Sequence, residues 1–348
     1  MPVCARKAAD GPLSSSSLEK AKQIMSDSNW KKYLLKSGLP FEYEVKECFA
    51  KQGCTVWDEY SYLRHDENSQ EKEFSYDIDA NCWIEGNSID FMIECKYKTE
   101  PTTWVFTPDP YGYQNEINQN SFFHAVDYFS KVKFLFQSYP YHSIRDSLGG
   151  ICLKGVEVYQ NQFLETNIFK AINQLSYAFA DKLINSMDSQ INTERFSKSI
   201  FFNIPIIITN AELRLINKNS TTKIIEDATE IEEVTTKHDF LFFHNKIGDS
   251  LRKYNLLKLS IFFNELGEGK FKERNESFAK DVNHFIDVLA SNYCPQMIVI
   301  MHHDEYHNNY QKLFEYMNFF LKNSNEMKEK LKIASKSIND MIKLNKIK

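Results

Sequence analysis

Between residues 41 and 49 the apolar side chains Phe41, Val45, Cys48 and Phe49 recur at i, i+4, i+7 and i+8. That spacing draws one apolar stripe along a helix, and Gly53 marks its stop. A first helix over residues 18–36, ending at Gly38, is expected just before it. The period then falls to two, and residues 55–63, 74–84 and 88–98 read as three strands between polar or glycine-containing turns. Past Glu100 the pattern loosens. Pro101, Pro108, Pro110 and Pro140 punctuate an aromatic-rich loop region with one short helical piece at 121–136. A short strand at 151–158 follows. Next comes an amphipathic helix at 165–187, with Phe169, Ile172, Leu175, Phe179 and Leu183 along its buried side. The run IPIIIT, residues 204–209, is dominated by β-branched apolar residues, as in a strand buried on both faces. Pro205 is tolerated there because it stands at the strand's start.

Helix, three strands, loop region, helix and strand describe an α/β domain on a mixed sheet flanked by helices, assigned to residues 19–245. Residues 1–18 read as a flexible tail. Residues 217–237 are polar with an acidic patch. Residues 246–348 read as a C-terminal α/β or helical extension, with strands at 258–263 and 297–302, a helix at 278–290 and a lysine-rich helical end. A length of 348 residues carries a prior of about two domains.

Composition excludes several classes. With 42% hydrophobic residues, 14% aromatic and 11 glycines, the chain is neither disordered nor collagen-like. Seven cysteines, an odd number without a CxxC pair, argue against a disulfide framework or a zinc ribbon and fit a reducing, cytoplasmic setting. The N-terminus lacks the apolar stretch of a signal peptide, and no run approaches the length of a membrane span, so no membrane partner is expected.

The chemistry concentrates in FSYDIDANCWIEGNSIDFMIECKYK. In a strand, i and i+2 share a face, so Glu94, Lys96 and Lys98 project opposite to Ile93, Cys95 and Tyr97. Asp77 and Asp79 likewise share one face of the preceding strand. Adjacent strands can therefore gather Asp79, Glu94 and Lys96 around one ligand. Side-by-side carboxylates repel, and a divalent cation relieves them. Oxygen ligands with open positions suit Mg²⁺, with Mn²⁺ as a substitute, and a neighbouring ammonium can orient a water or neutralise a phosphate.

Asp79 followed by Glu94-Cys95-Lys96 resembles the PD-(D/E)XK nuclease superfamily, with its restriction-endonuclease-like fold. Phe41-Glu42-x-x-Val45-x-x-x-Phe49-x-x-x-Gly53-x-x-Val56 is similar to the opening of its type IV restriction endonuclease and Holliday-junction-resolvase-like branch. The match covers residues 38–98 well and runs more loosely to Asn210. Asp77-Ile78 stands where the family name has proline. The resemblance implies that Glu42, Asp79 and Glu94 bind Mg²⁺ and that Lys96 assists the attacking water. It further implies a metal-dependent hydrolase of phosphodiester bonds in DNA, with RNA the lesser expectation, serving defence against foreign DNA or repair. A homodimer is compatible with it. The competing class is a catalytically inactive nucleic-acid-binding or interaction protein on the same fold.

Helical geometry alone does not separate Glu42 from Glu44, which flank the stripe on opposite sides, and the resemblance selects Glu42. Asp77 is the alternative ligand, with a solvated strand residue as its plainer reading. Gln174 on the 165–187 helix resembles a family helix glutamine, against a default of helix surface. Cys95 reads as a small core residue. In HHDEYH, residues 302–307, His303 and His307 have i, i+4 spacing suited to a transition metal with Asp304 or Glu305. The segment is not HExxH and follows a strand end, so ordinary surface chemistry is the default.

A net charge of −5 sits oddly with a nucleic-acid partner. Fifteen acids against six bases lie between Glu42 and Glu100, whereas residues 312–348 carry nine lysines against four acids. The acidity is centred on the expected metal site, and divalent ions would mask it.

Overall fold

Gly38, held at a φ of 82°, separates the first two helices of the computed structural model, α1 (Asn29–Lys36) and α2 (Leu39–Lys51). Only glycine adopts that backbone freely. The structure describes residues 29–65, 70–110, 122–131, 148–159, 162–164, 166–274, 281–292 and 295–322. The tail expected at 1–18 and the lysine-rich end beyond residue 322 lie outside them. Phe41, Val45, Cys48 and Phe49 are the buried residues of α2, as their spacing requires.

Five strands follow: β1 (Thr55–Trp57), β2 (Tyr60–His65), β3 (Glu71–Tyr76), β4 (Ile78–Ile84) and β5 (Asn87–Lys96). Two of the three expected strands are thus split. β2 and β3 pair as a separate ribbon, with Tyr60 opposite Tyr76, and a bend at Asp77 turns the chain onto the main sheet as β4. Next come β6 (Thr103–Pro108), β7 (His124–Val126), β8 (Gly150–Tyr159), β9 (Gln162–Leu164) and the long α3 (Thr166–Asn192). The chain continues through β10 (Phe201–Thr209), β11 (Glu212–Ile216), α4 (Thr222–Asp227), β12 (Thr235–His238) and β13 (Phe240–His244). It closes with α5 (Asp249–Leu266), α6 (Glu268–Arg274), α7 (Val282–Asn292), β14 (Met297–His302) and α8 (Asn308–Lys322).

The main sheet runs β1-β4-β5-β10-β14-β13-β8-β6-β11-β12, with β7 also on β10 and β9 on β8. β10 lies parallel to both β5 and β14, so the carboxyl ends of these three strands share one edge. Every residue of β10 is buried, which is why its sequence is almost wholly apolar. One face packs α2 and α8 through Phe41, Val45, Phe49, Leu313 and Phe314. The other packs α3, α5 and α7 through Leu175, Phe179, Leu259, Phe263 and Phe285. The fold is α/β, a large mixed sheet flanked by helices. Among the described residues no helix is long and apolar enough to cross a membrane.

Several expectations are corrected. Residues 258–263 belong to helix α5, not to a strand; Leu259 and Phe263, one turn apart, are buried against the α3 side of the sheet. A short apolar run fits either element until its neighbours are known. Within the helical piece expected at 121–136, residues 124–126 form strand β7, and residues 132–136 lie outside the described ones. The proline-rich loop region contributes strand β6, paired with β8 and β11. Phe169, expected on the buried side of α3, is 38% exposed. Within the region read as an extension, residues 297–302 form β14, which lies between β10 and β13 in the main sheet.

Candidate active site

β4 and β5 are joined by Glu85 and Gly86, at φ 51° and 78°. Two positive φ values make this the tight hairpin turn that matches strand twist, and a two-residue loop fixes the register. Ile84 pairs with Asn87, Asp79 with Met92 and Ile78 with Ile93. Asp77 stands at the bend just before this ladder, and Glu94 follows Ile93 on β5.

Glu94 has no solvent exposure. Its Oε1 accepts a hydrogen bond from the Lys96 ammonium, and its Oε2 is buried with no hydrogen-bond partner among the described residues. An orphaned carboxylate oxygen is costly and rare in a folded interior. Burial, and after it the charge of Asp77, push the Glu94 carboxyl up to about 8, against the pull of Lys96.

Asp77 sits at the bend, and its Oδ2 accepts the backbone N–H of Cys95 at 2.7 Å. Burial raises its pKa, opposed by the Cys95 N–H and by Lys96. Glu42 enters from the first turn of α2, half-buried. Burial and then the charge of Asp77 raise its pKa, while Lys46 and Lys96 oppose. Glu42, Asp77, Glu94 and Lys96 thus form one electrostatic group, drawn from a helix start, a strand bend and a strand end. Gly38 gives Glu42 room, since a Cβ there would come within 3.3 Å of its Oε1.

Asp79, the aspartate of the expected set, has partners other than Glu94 and Lys96. Its Oδ1 accepts the Tyr76 hydroxyl at 2.7 Å, and its Oδ2 pairs with Lys182 Nζ of α3 at 2.7 Å. Lys182 also lies over the Tyr60 ring, 4.6 Å from its centroid. Periodicity put Asp77 and Asp79 on one face and could not choose between them. The hairpin register, set by the two-residue turn Glu85-Gly86, puts Asp79 opposite Met92, and Asp77 at the bend reaches the Cys95 N–H.

Neighbouring residues fix this group. Thr209 Oγ1 donates to the Lys96 carbonyl at 2.7 Å. Asn210 accepts the Lys98 N–H at 2.7 Å and donates to the Lys98 carbonyl at 2.8 Å, clamping the exit of β5. Gln174 Nε2 donates to the Ser75 carbonyl at 2.9 Å, and its Oε1 is buried without a partner among the described residues. Gln174 therefore holds the end of β3, two residues before Asp77, rather than lying on open helix surface. Lys98 turns away to pair with Glu157 at 2.5 Å. Cys95 is a core residue whose thiol burial holds far above its ordinary pKa, which removes it as a nucleophile.

Glu42, Asp77 and Glu94 supply carboxylate oxygens of the kind Mg²⁺ or Mn²⁺ takes, although the donor atoms that already lie close enough to hold an ion among the described residues are those of Glu44, His303 and His307. Glu44, two positions beyond Glu42, faces away from this group and meets His303 and His307. No family model, curated protein or solved structure matches the chain.

Proposed function

We propose that the protein is a divalent-metal-dependent nuclease of the restriction-endonuclease-like fold, hydrolysing phosphodiester bonds in DNA within the cytoplasm, in defence or repair. The observation that carries this reading is the Glu94 Oε2, buried beside Lys96 and within the field of Asp77, with no hydrogen-bond partner among the described residues. Glu42, Asp77 and Glu94 would hold Mg²⁺, or Mn²⁺ in its place. When bound, such an ion activates a water and polarises the scissile phosphate.

The protein's own groups divide the remaining work. The Cys95 N–H holds Asp77 in one orientation. Lys96, tethered to Glu94 and partly open to solvent, presents its ammonium to a water or to a phosphate oxygen. Thr209 and Asn210 keep the strand end from drifting, which matters because misplacing a reacting group by an ångström is expensive. Before a cation binds, the acidic cluster repels a phosphate backbone, so DNA binding as well as cleavage should require divalent metal.

The test uses purified protein with linear, supercoiled and branched DNA and with RNA, in Mg²⁺ or Mn²⁺. Cleavage should need the metal and should fall by about 10²-fold or more in Asp77→Asn, Glu94→Gln and Lys96→Ala. Wild-type rates in all three variants would overturn the proposal. Metal-dependent DNA binding without cleavage would leave a binding protein on the same fold.

A further inference from the structure

On the far side of α2 from Glu42, three metal-ligating side chains converge that the proposed nuclease chemistry does not use. Glu44 Oε1 lies 2.9 Å from His307 Nε2 and 3.3 Å from His303 Nε2. One donor atom from each of the three falls within 4.8 Å of the others. Around a tetrahedral zinc with bonds of about 2.0–2.1 Å, neighbouring ligand atoms are separated by roughly 3.4 Å. The two spacings to Glu44 are close to that, and the histidine nitrogens lie within 4.8 Å of each other, a gap that side-chain rotation can close. We propose that Glu44, His303 and His307 form a transition-metal site, suited to Zn²⁺, distinct from the oxygen-lined group at Glu94.

The surroundings are those of a built site. The Nδ1 of His303 lies 2.7 Å from the hydroxyl of Tyr310, which is itself 1% exposed. That contact fixes the ring and turns Nε2 toward Glu44, as the outer partner of a metal-bound histidine does. His307 is held at a φ of 57°, an uncommon backbone for a side chain of its size. Asp304 keeps the corner in place by accepting the N–H groups of Asn308 and Asn309, both at 2.9 Å, at the start of α8. His303 follows directly on the end of β14 and is tied to β10 through its N–H to the Thr209 carbonyl at 2.8 Å. The Glu44 side chain remains 49% exposed, so an ion and a completing water can reach the site.

Two neutral imidazoles and one carboxylate favour Zn²⁺ over Mg²⁺, which prefers oxygen throughout. A bound ion would tie α2, and with it Glu42, to the corner between β14 and α8.

The experiment measures Zn²⁺ binding by the full chain in excess Mg²⁺, using a competing chromophoric chelator, with Co²⁺ substitution to read coordination. One equivalent of Zn²⁺ should bind, Co²⁺ should give a tetrahedral spectrum, and Zn²⁺ should raise the melting temperature. Glu44→Gln and His307→Asn should each weaken binding by about 100-fold, and Tyr310→Phe by about 10-fold. Asparagine tolerates the left-handed backbone at position 307, and circular dichroism confirms that each variant is folded. Glu94→Gln should leave the Zn²⁺ stoichiometry and the Co²⁺ spectrum unchanged, which separates this site from the other. Absence of stoichiometric binding in the wild type, or undiminished binding in folded Glu44→Gln and His307→Asn, would overturn the proposal.

Discussion

Glu94 couples the candidate site to pH. Its pKa lies near 8 instead of the ordinary 4.5, so the native state holds a proton that the unfolded chain releases earlier. The stability it contributes is full below about pH 4.5 and is lost as pH rises through about 8. Glu42 and Asp77, also raised, tilt the same way. In chelator, the unfolding free energy from urea titration should therefore fall with pH by up to about 1.4 kcal/mol per unit for each such group within its window, and the midpoint with it. Glu94→Gln should flatten much of that slope, and divalent metal should reverse it above neutrality. A wild-type midpoint that rises with pH in chelator would contradict this. The two aspartates separate by a second comparison. Asp79→Ala strands the Lys182 ammonium and should cost about 3 kcal/mol in thermal or urea unfolding. Asp77→Asn keeps a side chain able to accept from Cys95, so it should unfold near wild type while abolishing cleavage.

Elements were legible where one rule decided them. The α2 stripe and the largely apolar β10 each have a single solution, though β10 begins at Phe201, so Pro205 lies inside the strand and not at its expected start. The places of Glu42 at a helix start and of Glu94 and Lys96 at a strand end were also legible, because both are local features. Asp77 was not, since the choice between it and Asp79 depends on pairing with another strand. Leu259 and Phe263 misled for a related reason, because only packing against α3 and α7 distinguishes a helix there. Trp104 and Phe106 of β6 lie among prolines, and their burial comes from partners far along the chain. At this scale Asn210 gives a clean test. Asn210→Ala removes both hydrogen bonds to Lys98 and should cost about 1–2 kcal/mol in unfolding free energy. Cleavage should fall with it, while Asn210→Asp, which can still accept from the Lys98 N–H, should retain more of both.

Across the whole molecule, the sheet joins strands from both ends of the chain. β14 contacts β10 on one side and β13 on the other, and its residues 297–301 are buried. A fragment ending at residue 245 would expose the edges of two central apolar strands. It should show neither a cooperative melt nor protease resistance, rather than behave as a freestanding domain. A sharp unfolding transition from that fragment would show the C-terminal third to be dispensable. The same topology sets an order in time. On a ribosome, β5 emerges long before β14, and β10 waits between them with one edge only partly covered. The carboxyl edge that carries Glu94, Thr209 and His303 cannot close until some two hundred later residues have followed β5 out. Any chemistry that depends on that edge is withheld from the nascent chain until β14 has paired with β10.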